Sequence, residues 1–374
     1  MKILFVVNEL DFFLRTHLNL ANRINNFHDV ALIADASKNN QKDIAFVKQM
    51  GISLYELNRK KSDNKFLNYL IFIFSLLKLI RRINPSHIFY ITLELSFFGS
   101  LIAHLHNAKK SIFIITGLGP FFFKKELKYK IFHKLQRYSF LFLSRVKKNF
   151  LFIFLNKDDQ DLIANIYKIN LSYTQIIHGE GIDESEFRII DRDTSVVKFL
   201  LASRLVKSKG IESYIKVAKK IKQKYSNVEF SIAGIFDPDN PESIENRLFK
   251  ELSTSYEVQF LGEVPHYKME QCFHDNTIFV LPSQREGLPK AAVEAASTGM
   301  PLILSDVPGC RDCIEDNSSG ILVIYNNSKE LYEAMERFIS NPNLITTMGK
   351  KSSILAKEKF SLTAITGKYL KIIS

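Results

Sequence analysis

Short apolar runs alternate with amphipathic stretches along the whole chain, and each apolar run predicts a buried strand. The predicted strands, in chain order, are Ile3–Val7, Val30–Ala34, Ser53–Leu57, Ile88–Thr92, Ile112–Ile115, Leu151–Leu155, Thr174–Ile177, Lys198–Ala202, Val228–Ala233, Val258–Leu261, Ile278–Leu281, Leu302–Ser305 and Ile321–Val323. Strands separated by helices form parallel sheets with right-handed crossovers. The pattern therefore predicts an α/β chain.

The alternation is interrupted once by a polar stretch, Ile189–Ser195, which predicts a linker between two Rossmann-like domains. Their bounds would be residues 1–190 and 191–374, and a chain of 374 residues is long enough for two cores. Ligands are then expected at the carboxyl ends of the strands. The amino terminus has one Lys before Ile3–Val7, an apolar run too short for a signal peptide.

Positive charge is concentrated in the first half. Residues 1–190 hold 27 Lys and Arg against 16 Asp and Glu, whereas the remainder holds 24 against 23. Such an excess predicts an anionic partner for this half. The chain has no nucleic-acid-binding motif, so a membrane surface is the better candidate than nucleic acid.

The stretch from Pro120 to Phe154 mixes basic and large apolar residues most densely. An amphipathic helix here would lie in a membrane interface, with aromatic groups inserted and lysines facing lipid phosphates. The residues assigned to this contact are Phe121, Phe122, Phe123, Lys124, Lys125 and Lys128. The alternative is an ordinary surface helix whose lysines keep it soluble. A second apolar run, Phe66–Leu77, is too short to span a bilayer and predicts a buried helix.

No metal site is predicted. Cys310 and Cys313 have CxxC spacing without a second pair or a nearby His, so free thiols are expected, together with Cys272. Two Asp-x-Asp sequences, 191–193 and 237–239, lie in the predicted linker and in a Pro-rich loop, where turn roles are expected. Neither half shows GxGxxG after its first strand, which argues against a dinucleotide cofactor.

Two carboxylates, Glu286 and Glu294, flank a predicted helix start near Pro289. Backbone N–H groups around Gly287 and Leu288 would point out of the helix start and favour an anion such as a diphosphate. Carboxylates suit a ligand that also carries hydroxyls, as a nucleotide sugar does. The ordinary alternative is that acidic side chains simply favour the positive end of a helix.

A second set of candidates follows the first strand of the second half. Ser203, Arg204 and Lys209 precede Gly210, and cations at the carboxyl end of a strand suit a diphosphate. Arginine can bind phosphate bidentately, and lysine acts as a point charge. The alternative is a solvated basic turn.

The run LPSQREGLPKAAVEAASTGMPLILSDVPGCRD, Leu281–Asp312, resembles the donor-binding core of the retaining family 4 glycosyltransferases. The resemblance extends more loosely from Met1 to about Phe360. It implies the GT-B fold, in which the parallel sheets of two Rossmann-like domains face an interdomain cleft. In such a fold the last helix is a candidate for return to the N-terminal domain. The family's glutamate pair matches Glu286 and Glu294, and its phosphate-binding cations match Arg204 and Lys209.

The first domain departs from the family pattern at one place. Many members have a His near the reacting sugar where this chain has Thr116 and Gly117, as in a subgroup that builds lipid-linked bacterial glycans. No catalytic His is therefore assigned. Gly117 and Gly119 would allow a ligand close to the backbone. His17 is expected near the mouth of the cleft, either as an acceptor contact or as a satisfied or solvated side chain.

The resemblance implies a retaining, metal-independent hexosyltransferase with no cofactor. It would use a nucleotide diphosphate sugar, expected to be a UDP-sugar, and a polyprenyl-diphosphate-linked saccharide of O-antigen, capsule or glycan assembly. Its location would be cytoplasmic, peripheral on the inner face of the membrane. Two alternatives stay open: a nucleotide-sugar epimerase or phosphorylase of the same fold, and a non-catalytic membrane-bound partner in a polysaccharide assembly complex.

Overall fold

The structure of the chain, a computed structural model, describes residues 1–39, 41–57, 65–123, 126–146, 149–238 and 240–374. These residues form two compact units. One comprises Met1–Gly181 with Ile365–Ser374, and the other comprises Ile182–Ala364. Each unit contains one parallel sheet with helices packed on it, so the predicted α/β class with two Rossmann-like sheets is confirmed.

The first unit holds a sheet in the order β3-β2-β1-β4-β5-β6-β7. Its strands are β1 Lys2–Glu9, β2 Asp29–Asp35, β3 Ser53–Glu56, β4 His87–Ile91, β5 Lys110–Ile115, β6 Phe150–Phe154 and β7 Thr174–Ile176. Its helices are α1 Leu10–Thr16, α2 Leu18–Asn25, α3 Gln41–Gln49, α4 Lys65–Ile83, α5 Leu93–Ile102, α6 Leu127–Val146 and α7 Lys157–Tyr167. The strand bounds agree closely with those that the apolar runs predict.

The second unit holds a sheet in the order β10-β9-β8-β11-β12-β13. Its strands are β8 Val197–Ala202, β9 Val228–Ala233, β10 Gln259–Gly262, β11 Ile278–Leu281, β12 Leu302–Ser305 and β13 Gly320–Val323. The helices that follow are α8 Ile211–Lys222, α9 Asn246–Ser253, α10 Met269–His274, α11 Lys290–Ser297, α12 Ser328–Ser340, α13 Asn343–Phe360 and α14 Leu362–Ile373. Residues of α14 from Ile365 onward belong to the first unit, where the Tyr369 ring lies edge-on to Phe89.

The central strands of each sheet are largely apolar and buried because helices cover both faces of the sheet. All residues of β4 are buried, and Phe89 stacks on Phe5 of β1 with ring centroids 5.0 Å apart. In the second unit Phe199 of β8 stacks on Phe230 of β9 at 5.1 Å. The buried Tyr214 of α8 donates a hydrogen bond of 2.8 Å to the Phe199 carbonyl, which fixes α8 on this sheet.

The apolar run before β4 forms the helix α4, as predicted, but the helix is buried on one face only. Phe72, Leu76 and Leu77 are buried, whereas Leu67, Leu70 and Phe74 are exposed. Among the helices within the described ranges, none has the length and apolar character that crossing a bilayer requires.

The polar stretch 189–195 lies inside the second unit, and the chain passes between the units earlier, after Gly181. The contacts of Arg192 explain why this stretch belongs to the second unit. Its guanidinium donates to the carbonyls of Phe273 (2.7 Å), Asn276 (2.5 Å) and Thr298 (2.8 Å). Burial lowers the pKa of Arg192 to about 10. The polar sequence predicts a linker, but Arg192 anchors the stretch to the second unit, and Asn227 adds a hydrogen bond to the Ser195 carbonyl.

We expect Arg192→Ala to destabilise the second unit, because three carbonyl groups would lose the hydrogen bond from its guanidinium. Leaving buried polar groups unsatisfied costs about 1–3 kcal/mol. A urea titration followed by circular dichroism should show an earlier transition for the variant. Arg188→Ala is the matched control, since Arg188 is exposed and pairs with Glu270 at the surface. Equal midpoints for the two variants would contradict the anchoring role.

Candidate functional site

The second sheet has one point where the strand order reverses, between its central strands β8 and β11. From β8 the chain proceeds outward through β9 to β10, and from β11 it proceeds the other way through β12 to β13. Crossovers that diverge in this manner leave a crevice at the carboxyl ends of the two central strands, where ligands of such sheets bind. The segments 203–210 and 282–289, which carry the predicted phosphate and glutamate residues, follow these two strands.

The two segments contact each other through their backbones. The Gln284 N–H donates to the Ser208 carbonyl at 2.7 Å. Gly210 has a φ of +72°, and a Cβ there would lie 2.2 Å from the Pro282 carbonyl oxygen. Only glycine permits this approach, so Gly210 serves the contact between the loops as well as the start of α8.

A third loop, after β12, supports the glutamate turn from the other side. The Glu286 N–H donates to the Pro308 carbonyl at 3.2 Å. A Cβ on Gly309, whose φ is +78°, would lie 2.6 Å from the carbonyl oxygens of both Glu286 and Gly287. The turn that presents Glu286 is therefore fixed by loops from two neighbouring strands.

Lys209 and Glu286 form an ion pair across these loops. The Lys209 Nζ lies 2.5 Å from Glu286 Oε1 and 2.7 Å from Oε2. The side chains are only 18% and 9% exposed. The sequence indicated both residues as site candidates but did not predict this pairing, because the partners stand 77 positions apart.

Glu294 lies inside α11, which begins at Lys290 directly after Pro289, as predicted. The residue is 4% exposed. His266 Nε2 lies 3.1 Å from its Oε1, and Lys290 Nζ lies 3.7 Å from the same atom. His266 was not among the predicted site residues, although its place after β10, at the carboxyl edge of the sheet, is a signal that could have indicated it.

The remaining predicted residues of this unit lie at the same sheet edge. Ser203 and Arg204 directly follow β8, and the Arg204 side chain is exposed, in contrast to Lys209. Gly287 and Leu288 form the turn that leads into α11, and Pro289 caps it. The structure thus brings Glu286 and both cations onto adjoining loops of one unit, beside the start of α11, the helix that contains Glu294.

In the first unit, the residues predicted to approach the acceptor follow β5. Gly117 has a φ of +148° and Gly119 a φ of +67°, backbone conformations that glycine adopts readily. Within the part of the chain that the structure describes, no atom lies within 4 Å of where a Cβ on Gly119 would be, so the backbone is accessible at this point. His17 is different: it is 2% exposed, and its Nδ1 lies 2.6 Å from the Thr16 hydroxyl. Burial leaves little of His17 to contact an acceptor, and the interpretation as a satisfied side chain fits the structure better.

The residues predicted to meet a membrane have mixed outcomes. Phe122 belongs to the core of the first unit, packed against His133 and Tyr167, so its assignment to membrane insertion is corrected. A run of three phenylalanines can fill a core as well as a membrane, and here one of them does the former. Phe123 is exposed. Lys124 and Lys125 lie outside the described residues, as do the side chains of Phe121 and Lys128.

The three cysteines are free and buried, as the spacing predicted. Burial raises the pKa of Cys272 to about 11 and raises those of Cys310 and Cys313 well above their usual value. Of the two Asp-x-Asp sequences, the first forms a turn in which Asp193 accepts from the Ser195 N–H at 2.8 Å. Asp239 of the second lies outside the described residues.

Two family models match the chain in succession. A model described as "Glycosyl transferase 4-like" matches residues 2–149, and one described as "Glycosyl transferases group 1" matches residues 183–353. The second match contains the loops with Lys209, Glu286 and Glu294.

Individual proteins agree with these matches. An N,N'-diacetylbacillosaminyl-diphospho-undecaprenol alpha-1,3-N-acetylgalactosaminyltransferase of Campylobacter jejuni is 25% identical over 338 residues, covering 86% of this chain and 85% of that protein. An uncharacterized glycosyltransferase of Haemophilus influenzae is 29% identical over 163 residues, covering 42% of this chain. That second match spans 44% of the relative's own length.

The solved structure of Anabaena HepE in complex with UDP-glucose is similar to the whole chain. Its TM-score is 0.78 at 16% sequence identity, with 100% of this chain and 99% of that chain covered. Likeness at such low identity shows a shared fold, and the family models supply the class of protein. The chain belongs to the glycosyltransferases of the GT-B fold.

Proposed function

We propose that the chain is a retaining glycosyltransferase that moves a hexose or N-acetylhexosamine from a UDP-sugar to a polyprenyl-diphosphate-linked saccharide. The reaction would serve the assembly of a bacterial surface polysaccharide or glycan. The observation that carries the proposal is the Lys209–Glu286 pair at the switch point of the second sheet. A cation and a carboxylate held together there suit a ligand that carries both phosphates and hydroxyls.

The donor phosphates would bind to Lys209, Arg204 and the turn before α11. A lysine ammonium has three N–H donors, and two of them reach the Glu286 oxygens, which leaves one for a phosphate oxygen. Because the pair is neutral as a whole, the exposed guanidinium of Arg204 supplies the net positive charge. The backbone N–H groups of Gly287 and Leu288 add donors at the helix start.

The two carboxylates would divide the hydroxyl groups of the donor between them. Glu286, beside the phosphate-binding lysine, would accept hydrogen bonds from the transferred sugar and stabilise positive charge on its anomeric carbon. Glu294, deeper in α11, would accept from the ribose hydroxyls. Both roles follow the family resemblance, and the buried, partnered state of each side chain supports them.

The chemistry would proceed on one face of the sugar. The bond between the anomeric carbon and the β-phosphate oxygen breaks, and the acceptor hydroxyl oxygen forms its bond to the same carbon on the same face. The proton of that hydroxyl passes to the departing phosphate, so UDP leaves and no side-chain base is required. Lys209 and Arg204 would stabilise the charge on UDP, the task that a divalent metal performs in other transferases. We therefore propose a metal-independent reaction.

Two similar proteins support the choice of substrates. The similar Anabaena structure contains UDP-glucose, and the name of the Campylobacter relative contains a diphospho-undecaprenol-linked saccharide. A lipid-linked acceptor requires the enzyme to work at a membrane surface, which we place on the inner face of the cytoplasmic membrane.

The helix α6 offers a surface for that contact. Exposed apolar side chains recur along it every three or four positions and so form one stripe: Leu127, Ile131, Leu135, Tyr138 and Phe142. Exposed cations lie beside the stripe: Lys130, Lys134, Arg137 and Arg145. Apolar groups that insert and cations that meet lipid phosphates are the features of an interfacial helix. We propose that this α6 stripe and Phe123 contact the membrane, and that the buried Phe122 does not.

The most direct test of the function is the release of UDP from UDP-sugars in the presence of a lipid-linked saccharide. We expect UDP to appear only when acceptor is added, with a product of retained anomeric configuration, and EDTA should leave the rate unchanged. Conversion of the nucleotide sugar without acceptor would favour an epimerase. Absence of turnover across donors and acceptors would favour a non-catalytic partner, and loss in EDTA with recovery in Mn²⁺ would overturn the metal-independent reaction.

Lys209→Ala should lower turnover by about 10²–10³, as expected for loss of one preorganised charge-stabilising donor. The loss also leaves the Glu286 carboxylate facing the diphosphate without its counter-ion. Lys207→Ala is the matched control: it removes a lysine from the same loop, but Lys207 is exposed and lies 3.9 Å from Glu245. Steady-state rates with acceptor measure both variants.

A folded Lys209→Ala protein with the rate of Lys207→Ala would refute the phosphate role. The double variant Lys209→Ala with Glu286→Gln should lose less than the two single losses multiplied, because removal of the charge on Glu286 relieves the effect of losing Lys209.

Replacing Lys130, Lys134 and Arg137 with Glu should release the protein from anionic vesicles, because each cation near such a surface contributes about 1 kcal/mol. Replacing Ile131 and Leu135 with Ser should do the same by removing the inserted groups. Sedimentation with anionic and neutral vesicles measures both effects.

The control for charge alone replaces Lys350, Lys351 and Lys357 with Glu, since these exposed lysines lie on α13 of the second unit. This control should sediment like the wild type. Equal binding by all the variants would show that α6 is an ordinary surface helix.

A further inference from the structure

His266 lies at the carboxyl edge of the second sheet, in a 3₁₀ turn between β10 and α10. Its side chain is 48% exposed. The imidazole ring lies edge-on to the ring of the buried Phe187, with centroids 5.8 Å apart. One part of the ring is therefore fixed by packing, while the remainder is accessible to a ligand.

The same imidazole contacts the more deeply buried of the two site glutamates. His266 Nε2 lies 3.1 Å from Glu294 Oε1. A carboxylate oxygen only accepts hydrogen bonds, so in this contact Nε2 carries the proton and donates it. The contact connects the turn after β10 to α11. The two residues stand 28 positions apart in the sequence.

The carboxylate of Glu294 has a second basic neighbour on its own helix. Lys290 lies one turn earlier in α11, with its Nζ 3.7 Å from the same oxygen, Oε1. A carboxylate that is almost entirely buried requires partners. Both partners reach one oxygen, and together they fix the orientation of the carboxylate plane.

We propose that His266 is a positioning residue for nucleotide recognition, which orients the Glu294 carboxylate to accept hydrogen bonds from the ribose diol. The inference rests on the proposed function of Glu294. Two adjacent hydroxyls can donate to one carboxylate only if its plane faces them. A side chain that is free to rotate would have to be ordered at each binding event, and that ordering costs free energy. His266 removes this cost before the nucleotide arrives.

His266 acts on binding in this role, and it does not contact the reacting atoms. Its removal should therefore weaken the binding of UDP and raise the KM for the donor, while kcat at saturating donor stays unchanged. Glutamine at this position could still donate through its amide N–H. Phenylalanine would keep the packing on Phe187 but has no donor.

The test compares His266→Phe with His266→Gln by calorimetric titration of UDP and of 2',3'-dideoxy-UDP. We expect His266→Phe to bind UDP about ten-fold more weakly, a change that corresponds to about 1.4 kcal/mol. The dissociation constant of His266→Gln for UDP should stay within about two-fold of the wild-type value. Dideoxy-UDP should bind equally to all three proteins, because it lacks the hydroxyls that Glu294 would hold.

A matched control and a double variant complete the test. His274→Ala removes a half-buried histidine of the same unit, whose Nε2 contacts the Arg188 carbonyl, and should bind UDP like the wild type. In a Glu294→Gln background, His266→Phe should cause no further loss, because the two residues act through one contact.

The outcomes separate the inference from the function on which it rests. Unchanged UDP affinity in Glu294→Gln would refute the ribose role and with it the positioning role. Weakened binding in Glu294→Gln with wild-type binding in His266→Phe would refute the positioning role alone. If His266→Gln bound UDP weakly and His266→Phe bound it like the wild type, the ring would serve packing only.

Discussion

The ion pair between Lys209 and Glu286 is the interaction on which the site depends. It joins the loops after β8 and β11, at the one point of the second sheet where crossovers diverge. Both side chains are largely buried, so loss of either would leave a charge with little access to water, a costly state. The backbone is built around the pair: Gly210 and Gly309 each occupy a place where any Cβ would collide with a neighbouring loop.

The site has a second pair of the same kind. Glu294 and Glu286 are both buried carboxylates, and each contacts a basic side chain from a separate loop. Glu294 contacts His266, and Glu286 contacts Lys209. Carboxylates beside a diphosphate site would repel the ligand if they were unaccompanied. Glu286 is paired with Lys209, and Lys290 lies 3.7 Å from Glu294, so the net positive charge of the proposed diphosphate site would come from Arg204 and from the backbone N–H groups before α11. In the proposed function, hydroxyl recognition and phosphate recognition would then coexist at one edge of the sheet.

The sequence predicted those features that depend on local patterns. The strands were predicted well because parallel strands buried on both faces are continuous apolar runs, and the start of α11 was predicted because Pro289 marks it. Tertiary pairings were not predictable in this way. Lys209 and Glu286 were each indicated by their neighbours in the chain, but their contact required the sheet order.

The errors have physical reasons too. Phe122 was assigned to a membrane because its neighbours are aromatic and basic, yet apolarity alone does not distinguish a core from a lipid surface. The stretch 189–195 resembles a linker in composition, but Arg192 finds buried carbonyl acceptors that no local pattern reveals. His266 was missed because its partner Glu294 is distant in sequence.

The central claim is that the second unit binds a nucleotide diphosphate at this pair of loops, and a crystal structure with UDP tests it most directly. We expect the diphosphate within hydrogen-bonding distance of Lys209 Nζ and the Arg204 guanidinium, with the ribose hydroxyls on Glu294. The Lys209–Glu286 contact should persist beside the bound phosphate. UDP bound elsewhere, or held through a metal ion by Asp191 and Asp193, would contradict the claim.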